Sequence, residues 1–388
     1  MAIRERDLKL DLFRGLSLFI ILIDHTRGNV LARWTPGQFG LSDAAAVFIC
    51  VSGYTVALAF GRVFEERGWL LGTARLGLRM WQLYIAQLAL LIIVASLPST
   101  VWHLLGADGY GATLKLDYLF VDPGEALWRA VTLTYVPPGL DILPVYIAMM
   151  AMIPGVMALA RVNRLLVPVA SLALWAAAWA FDWNLLADPS DGRGWFFDPF
   201  SWQLLFVGSF GLGMGWFAPP PRLLWLRVVA GAMLVFGFCV QVPAIWHAVP
   251  ALATVHGWTV APAFKTMLNP LEYAYFLALA YLVVPLFERS LNWFRRRPLN
   301  LLVVAGQQSL AAFLGTVILA DLGGVVFDVM GRGPAMQVAV NLGNFTALAV
   351  LASLVAWYKT SPWRSGRGAA AAEPDGGTPY LGTRLASE

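Results

Sequence analysis

Charge is scarce in this chain. Only 13% of its 388 residues are Asp, Glu, Lys or Arg, while 59% are hydrophobic. A soluble domain carries about 25% charged residues, so the composition excludes one and requires a membrane. Cysteine is scarcer still: Cys50 and Cys239 both sit in apolar runs, which leaves no disulfide framework or thiolate metal site to expect. His103, His247 and His256 lie in connecting segments without metal-ligand spacing and read as solvated surface, so no metal is expected. The net charge of +4 does not form a basic stripe, so nucleic acid is not an expected partner. No internal repeat stands out, which argues against the inverted-repeat transporters.

What is present is a series of long apolar runs. Ten spans are expected: residues 11 to about 30, 43–61, 78–97, 140–160, a fifth ending near Phe181, 200–217, 223–242, 271–287, 299–320 and 335–357. The fold class is therefore all-α, a polytopic transmembrane domain over residues 1–360, followed by a Gly/Ala/Pro-rich tail, 361–388, expected to be disordered. The first run carries charges and lacks a small-residue cleavage site, so it is expected to stay in the mature chain rather than act as a signal peptide. Pro123 to Val131 is expected as a short interfacial helix. Basic clusters fall in alternate loops, at Arg62 to Arg79, Arg161/Arg164, Arg222/Arg227 and Arg295 to Arg297. The opposite loops hold single cations beside Asp108, Asp122, Asp188 and Asp191. By the positive-inside rule both termini are expected to be cytoplasmic.

One span breaks the apolar pattern. Between Asp11 and His25 it holds Asp11, Arg14, Asp24 and His25. Ionisable groups within a bilayer are costly, and their default reading is functional. Arg14 and His25 fall on nearly the same helix face, roughly 16 Å apart along the axis, with Asp11 a turn below Arg14. Together they suggest a polar lane. Neutral imidazole suits His25 to take a proton from an alcohol. Asp24 is adjacent and faces elsewhere, so Asp43 or Asp141 from another span is the better candidate to orient the ring. Asp141 also fits a helix N-cap. Asp321, Glu272 and Gln87 read as packing or lumen groups.

An Arg, ten residues and a His, as at Arg14 and His25, resembles the pattern of the membrane acyltransferase-3 superfamily. Phe48-Ile49-Cys50-Val51-Ser52-Gly53-Tyr54 is similar to its Phe-x-x-x-Ser-Gly-aromatic motif, and Arg75 to Arg79 to its basic entry into the third span. Other stretches resemble the OpgC family more closely: Asp24-His25-Thr26-Arg27, Ser42-Asp43-Ala44-Ala45, Leu140-Asp141-Ile142-Leu143-Pro144-Val145-Tyr146, Phe200-Ser201-Trp202-Gln203-Leu204-Leu205-Phe206 and Gly306-Gln307-Gln308-Ser309-Leu310.

The resemblance implies an enzyme that moves a succinyl group from cytoplasmic succinyl-CoA to hydroxyls of periplasmic glucans. In that scheme His25 is the base. Arg14 meets CoA phosphates, with Arg75 and Arg79 as further phosphate contacts or plain topology anchors. Ser52, Tyr54 or Gln203 donates to the oxyanion. Arg27 either pairs with Asp24 or Asp43 or takes the succinyl carboxylate. No Ser or Cys has an evident adjacent base, so a covalent acyl-enzyme is not required. The alternatives are O-acetylation of another polysaccharide and a transporter using the same lane. Oligomeric state is left open.

Overall fold

A computed structural model describes residues 7–105, 114, 116–259, 261–287 and 299–364. Asp108, the Arg295 to Arg297 triplet and the tail from 365 onward lie outside the described residues.

Each expected span coincides with helix, and the differences lie at the ends and at one internal break in the ninth. Helix α1 runs Leu8–His25, started by the Asp7 carboxylate, which accepts from the Lys9 amide at 3.0 Å. It stops at His25 instead of continuing to Val30. The Thr26 amide and hydroxyl both turn back to the Leu22 carbonyl, at 3.2 and 2.6 Å, and Gly28 then takes φ +79°. A 3₁₀ turn, Val30–Trp34, carries the chain to α2 (Ala44–Val56), which passes through a π turn at Ala57–Gly61 into α3 (Arg62–Arg67). Helix α4 (Trp69–Leu105) has 37 residues and extends past both expected ends of the third span. Two short helices follow, α5 (Asp117–Val121) and α6 (Pro123–Val131). Helix α6 fills the expected short-helix stretch and buries Ala126 and Ala130.

Next come α7 (Ile142–Val162) and α8 (Leu166–Phe181). The Asp- and Gly-rich loop after α8 contains an antiparallel ribbon, β1 (Leu186–Asp188) against β2 (Arg193–Gly194). Its Ala187 carbonyl accepts from the Val136 amide at 2.7 Å, which ties the ribbon to the entrance of α7. Helix α9 (Pro199–Gly213) is capped by Asp198. Beyond α10 (Leu224–Gln241), three short helices, α11 (Pro243–Trp246), α12 (Pro250–Thr259) and α13 (Pro262–Thr266), lead to α14 (Pro270–Phe287). Here the solvated-surface reading is corrected for His256, which is half-buried, whereas His247 is exposed as expected. His247 and His256 stack on the Trp246 ring, with centroids 3.8 and 4.2 Å away, and His256 Nδ1 lies 2.9 Å from the Val240 carbonyl.

The expected ninth span is also corrected. It is two helices, α15 (Leu299–Gln307) and α16 (Ser309–Met330), with a break at Gln308, and it reaches well past Ala320. Lys359, at the end of α17 (Pro334–Lys359), donates to the Gln308 side chain at 2.6 Å. Seven helices among the described residues are long and apolar enough to cross a membrane: Ala44–Arg67, Trp69–Val101, α7, α10, α14, α16 and α17. The chain is an all-α, multi-pass membrane protein. Helix α1 matches them in length but carries Lys9, Asp11, Arg14 and Asp24.

Helix α1 is the axis of the packing. It is flanked by α2, α15 and α16, and it buries Asp11, Leu12, Arg14, Gly15, Ser17, Leu18, Ile21 and Leu22. Its exit is pinned to α17: the Asn29 and Asn341 amides exchange hydrogen bonds at 2.9 and 3.0 Å, and Gln337 donates to the Gly28 carbonyl at 2.8 Å. That clamp fixes the height of His25.

Candidate active site

The carboxyl end of α1 opens into a cavity of about 800 Å³. Asp24, His25 and Arg27 line it from α1, and Ser42 to Ala45 from the start of α2. Asp141 lines it from the start of α7, Arg193 and Phe196 from the ribbon, Phe264 and Lys265 from α13, and Thr316, Ala320 and Asp321 from α16. With Val94 of α4, Gln241 of α10 and Thr259 of α12, the cavity joins eight helices and the ribbon at one end of the bundle.

His25 is held by its own helix: Nδ1 lies 2.9 Å from the Ile21 carbonyl. A carbonyl only accepts, so in the neutral ring Nδ1 carries the proton and Nε2 is the basic nitrogen. Among the described residues no carboxylate bonds this ring, and the two acids considered for that role are engaged elsewhere. Asp43 caps α2 by accepting from the Ala45 and Ala46 amides at 2.9 and 3.4 Å, and it pairs with Lys265 at 2.7 Å. Burial pushes the Asp43 carboxyl up, but Lys265 and the two amides outweigh it and hold it below its usual range. Lys265 also pairs at 2.7 Å with Glu272, which is fully buried on α14. Burial pushes the Lys265 ammonium down, and the two carboxylates more than reverse that.

Asp141 occupies the N-cap position of α7, yet its side chain does not cap the helix. It accepts instead from the amides of Gly139 at 3.2 Å and Phe196 at 3.3 Å, with Arg193 at 3.8 Å. Asp141 thus fastens the ribbon over the cavity. Burial pushes its carboxyl up to about 6, against the pull of Arg193 and the amides.

Arg27 runs along α16. A β-carbon at Gly324 would lie 3.3 Å from its Nε, and its guanidinium reaches Asp328 at 3.8 Å. Asp24, exposed in the cavity wall, lies near Thr35.

The other candidates lie apart. Arg14 is buried and donates to Thr55 Oγ1 at 2.8 Å and to the Val51 carbonyl at 3.4 Å, locking α1 to α2. Between Arg14 and His25, Leu18 and Leu22 are buried, so the polar lane is interrupted. Ser52 is buried where α2 meets α9, and the adjacent Gly53 abuts the Phe206 carbonyl. Tyr54 is half-buried, and Gln203 is bonded to Ser171 at 2.6 Å. None of these three lines the cavity. Arg75 lies over the Phe60 ring at 5.8 Å, and Arg79 donates to Gln82 at 3.2 Å, both near the start of α4. Lys265, Arg193 and Asp321 were not site candidates in the sequence. Only Asp321, an acid within an apolar run, carried a signal that could have found it. Among the described residues no three His, Cys, Asp or Glu side chains are grouped to hold a metal ion.

A family model described as OpgC protein matches residues 6–360, nearly the whole chain. The chain belongs to the OpgC family. Membership supports an OpgC-like membrane acyltransferase. No curated protein and no solved structure matches the chain.

Proposed function

We propose that this OpgC family member is an inner-membrane O-acyltransferase that moves a succinyl group from succinyl-CoA to hydroxyls of a periplasmic glucan. The observation that carries the reading is His25, with its Nδ1 fixed by Ile21 and its ring in a roomy, charge-lined cavity. Nε2 takes the proton of the attacking hydroxyl as its oxygen bonds to the thioester carbonyl carbon. The carbon–sulfur bond then breaks, and the CoA thiolate leaves with the proton held on the imidazolium. Arg27 offers the acyl group's free carboxylate a guanidinium in the same wall. CoA arrives from the cytoplasmic side, where Arg75 and Arg79 offer contacts to its phosphates. In this reading its acyl end passes the Leu18 and Leu22 layer to reach His25.

The test is CoA release by the purified protein in detergent, given succinyl-CoA and neutral glucan, for wild type and His25→Ala. Release that depends on the glucan and is lost in the variant supports transfer, and acetyl-CoA in place of succinyl-CoA reads the acyl preference. Folded wild type that consumes no donor, yet moves substrate across proteoliposomes, replaces the enzyme with a transporter.

A further inference from the structure

Lys265 stands in the cavity wall with two of its three ammonium hydrogens already placed. Nζ lies 2.7 Å from Asp43 Oδ2 and 2.7 Å from Glu272 Oε1, and among the described residues no third acceptor meets it. Glu272 is fully buried, so no ligand reaches it and its part is to hold the ammonium. Asp43 is also only partly used. Oδ1 takes the Ala45 and Ala46 amides and Oδ2 takes Lys265, whereas a carboxylate has about four acceptor positions. Both side chains line the cavity and keep an exposed part, 21% for Lys265 and 32% for Asp43. The pair therefore offers one donor and one acceptor side by side, fixed before any ligand arrives.

An apolar surface continues from the pair through a line of rings. The Lys265 ammonium lies 5.5 Å from the Trp202 ring centroid, Trp202 meets Phe197 edge-on at 5.0 Å, and Phe197 meets Phe196 edge-on at 4.8 Å. Trp202 and Phe197 are buried, but Phe196 is 45% exposed and lines the cavity. Its backbone is fixed, because the Asp141 carboxylate accepts the Phe196 amide at 3.3 Å. An aromatic surface with a few placed polar groups suits a ligand that has one apolar face and polar edges.

Charge narrows the ligand further. Among the described residues, the carboxylates of Asp24, Asp43, Asp141 and Asp321 line the cavity against three permanent cations, Arg27, Arg193 and Lys265. Glu272 adds another negative group directly behind Lys265. An anion at the Asp43–Lys265 wall is therefore disfavoured. A neutral sugar ring fits what remains: adjacent hydroxyls that donate and accept, and a C–H face for the aromatic ring.

We infer that Asp43 and Lys265 hold adjacent hydroxyls of a neutral sugar ring whose C–H face rests on Phe196; the inference rests on the acyl-transfer reading for its purpose but not for its test. One hydroxyl donates to Asp43, and its neighbour accepts from Lys265 Nζ. Asp43 thus touches the acceptor and not the base.

The test is calorimetric titration of neutral glucan into the purified protein in detergent, with no acyl donor present. Asp43→Asn keeps an oxygen for the Ala45 and Ala46 amides but loses the charge that aligns Lys265, and should weaken binding by about 10-fold. Phe196→Ala should weaken it by about 5-fold, with Phe196→Tyr close to wild type. Because Phe196 is exposed, its truncation reads the site even if Asp43→Asn does not fold. A glucan of the same length oxidised to carboxylates should bind about 10-fold more weakly than the neutral one.

Wild type that binds no neutral glucan overturns the inference, as does a carboxylated glucan that binds equally well. An unchanged Kd in Phe196→Ala and in folded Asp43→Asn overturns it too, even where glucan-dependent CoA release upholds the acyl-transfer reading. If binding responds as described while wild type releases no CoA, the sugar site stands and the acyl-transfer reading falls.

Discussion

Gly15 on α1 and Gly306 on α15 face each other with no room for a side chain on either helix. A β-carbon on Gly15 would meet the Leu302 carbonyl, and one on Gly306 would meet the Asp11 carbonyl. Backbone-to-backbone contact of this kind is how membrane helices pack when small residues align. The contact sets the lateral position of α1, and hence of the His25 it carries. Gly15→Ala or Gly306→Ala should each destabilise the folded protein by about 1–3 kcal/mol, the usual cost of overpacking. Thermal unfolding in detergent reads this. Gly343→Ala on α17, where a β-carbon meets nothing within 4 Å, is the control and should be neutral or slightly stabilising.

Lys265 holds two carboxylates at once, and only one of them can find water without it. Asp43 is partly exposed, whereas Glu272 is fully buried, and its second oxygen has no hydrogen-bond partner. Lys265→Met therefore strands Glu272. Breaking a buried pair from one side costs about 3–5 kcal/mol. Adding Glu272→Gln to Lys265→Met removes the stranded charge and should restore part of the loss in a denaturation series. A double variant no more stable than the single one would show that Glu272 is not the group left unpaired.

These two features mark what the sequence made legible. Long apolar runs gave the all-α class and the seven helices long and apolar enough to cross a membrane, because about 20 such residues have few uses outside a bilayer. The ends were less legible: Thr26 and Gly28 stop α1 through local geometry that hydropathy does not record. Within the site, Asp24, His25 and Arg27 were found together because they are neighbours in sequence. The partner of Asp43 was not, since Lys265 lies in a connecting segment with no motif and reaches Asp43 only through the fold. The Ser52-Gly53 motif was visible, but its glycine serves the close approach of α2 and α9. Pattern revealed the residues there, and packing revealed what they do.

Asp141 makes the stability depend on pH in a defined direction. Burial lifts its carboxyl from 3.8 to about 6, so between those values the folded protein holds a proton that the unfolded chain has lost. Its contribution is fully present below about pH 3.8 and is lost as pH rises through about 6, a change on the order of 3 kcal/mol. Asp141→Asn cannot titrate. The stability of wild type relative to Asp141→Asn should therefore fall as pH is raised from 4 to 7, in unfolding curves at matched detergent. A difference that stays flat, or rises, would mean that Arg193 and the amides of Gly139 and Phe196 outweigh burial.

The cavity and the Arg161/Arg164 pair mark the two ends of α7, and that relationship makes the orientation measurable. Helix α7 has 21 residues between Ile142 at the cavity and Val162, or roughly 31 Å, which matches a hydrocarbon core of about 30 Å. By the positive-inside rule the Arg161/Arg164 end is expected in the cytoplasm, which would open the cavity to the periplasm. With Cys50→Ala and Cys239→Ala as background, Trp34→Cys reports the cavity end, where Trp34 is 72% exposed, and Arg164→Cys reports the other. A membrane-impermeant maleimide on intact spheroplasts should label Trp34→Cys at once and Arg164→Cys only after permeabilisation. This order brings a periplasmic glucan hydroxyl straight to His25 and makes the donor's acyl group the one that crosses the Leu18 and Leu22 layer. The reverse order would put the base on the cytoplasmic side, where CoA meets it directly and a periplasmic acceptor does not, and the proposed direction of transfer would not survive.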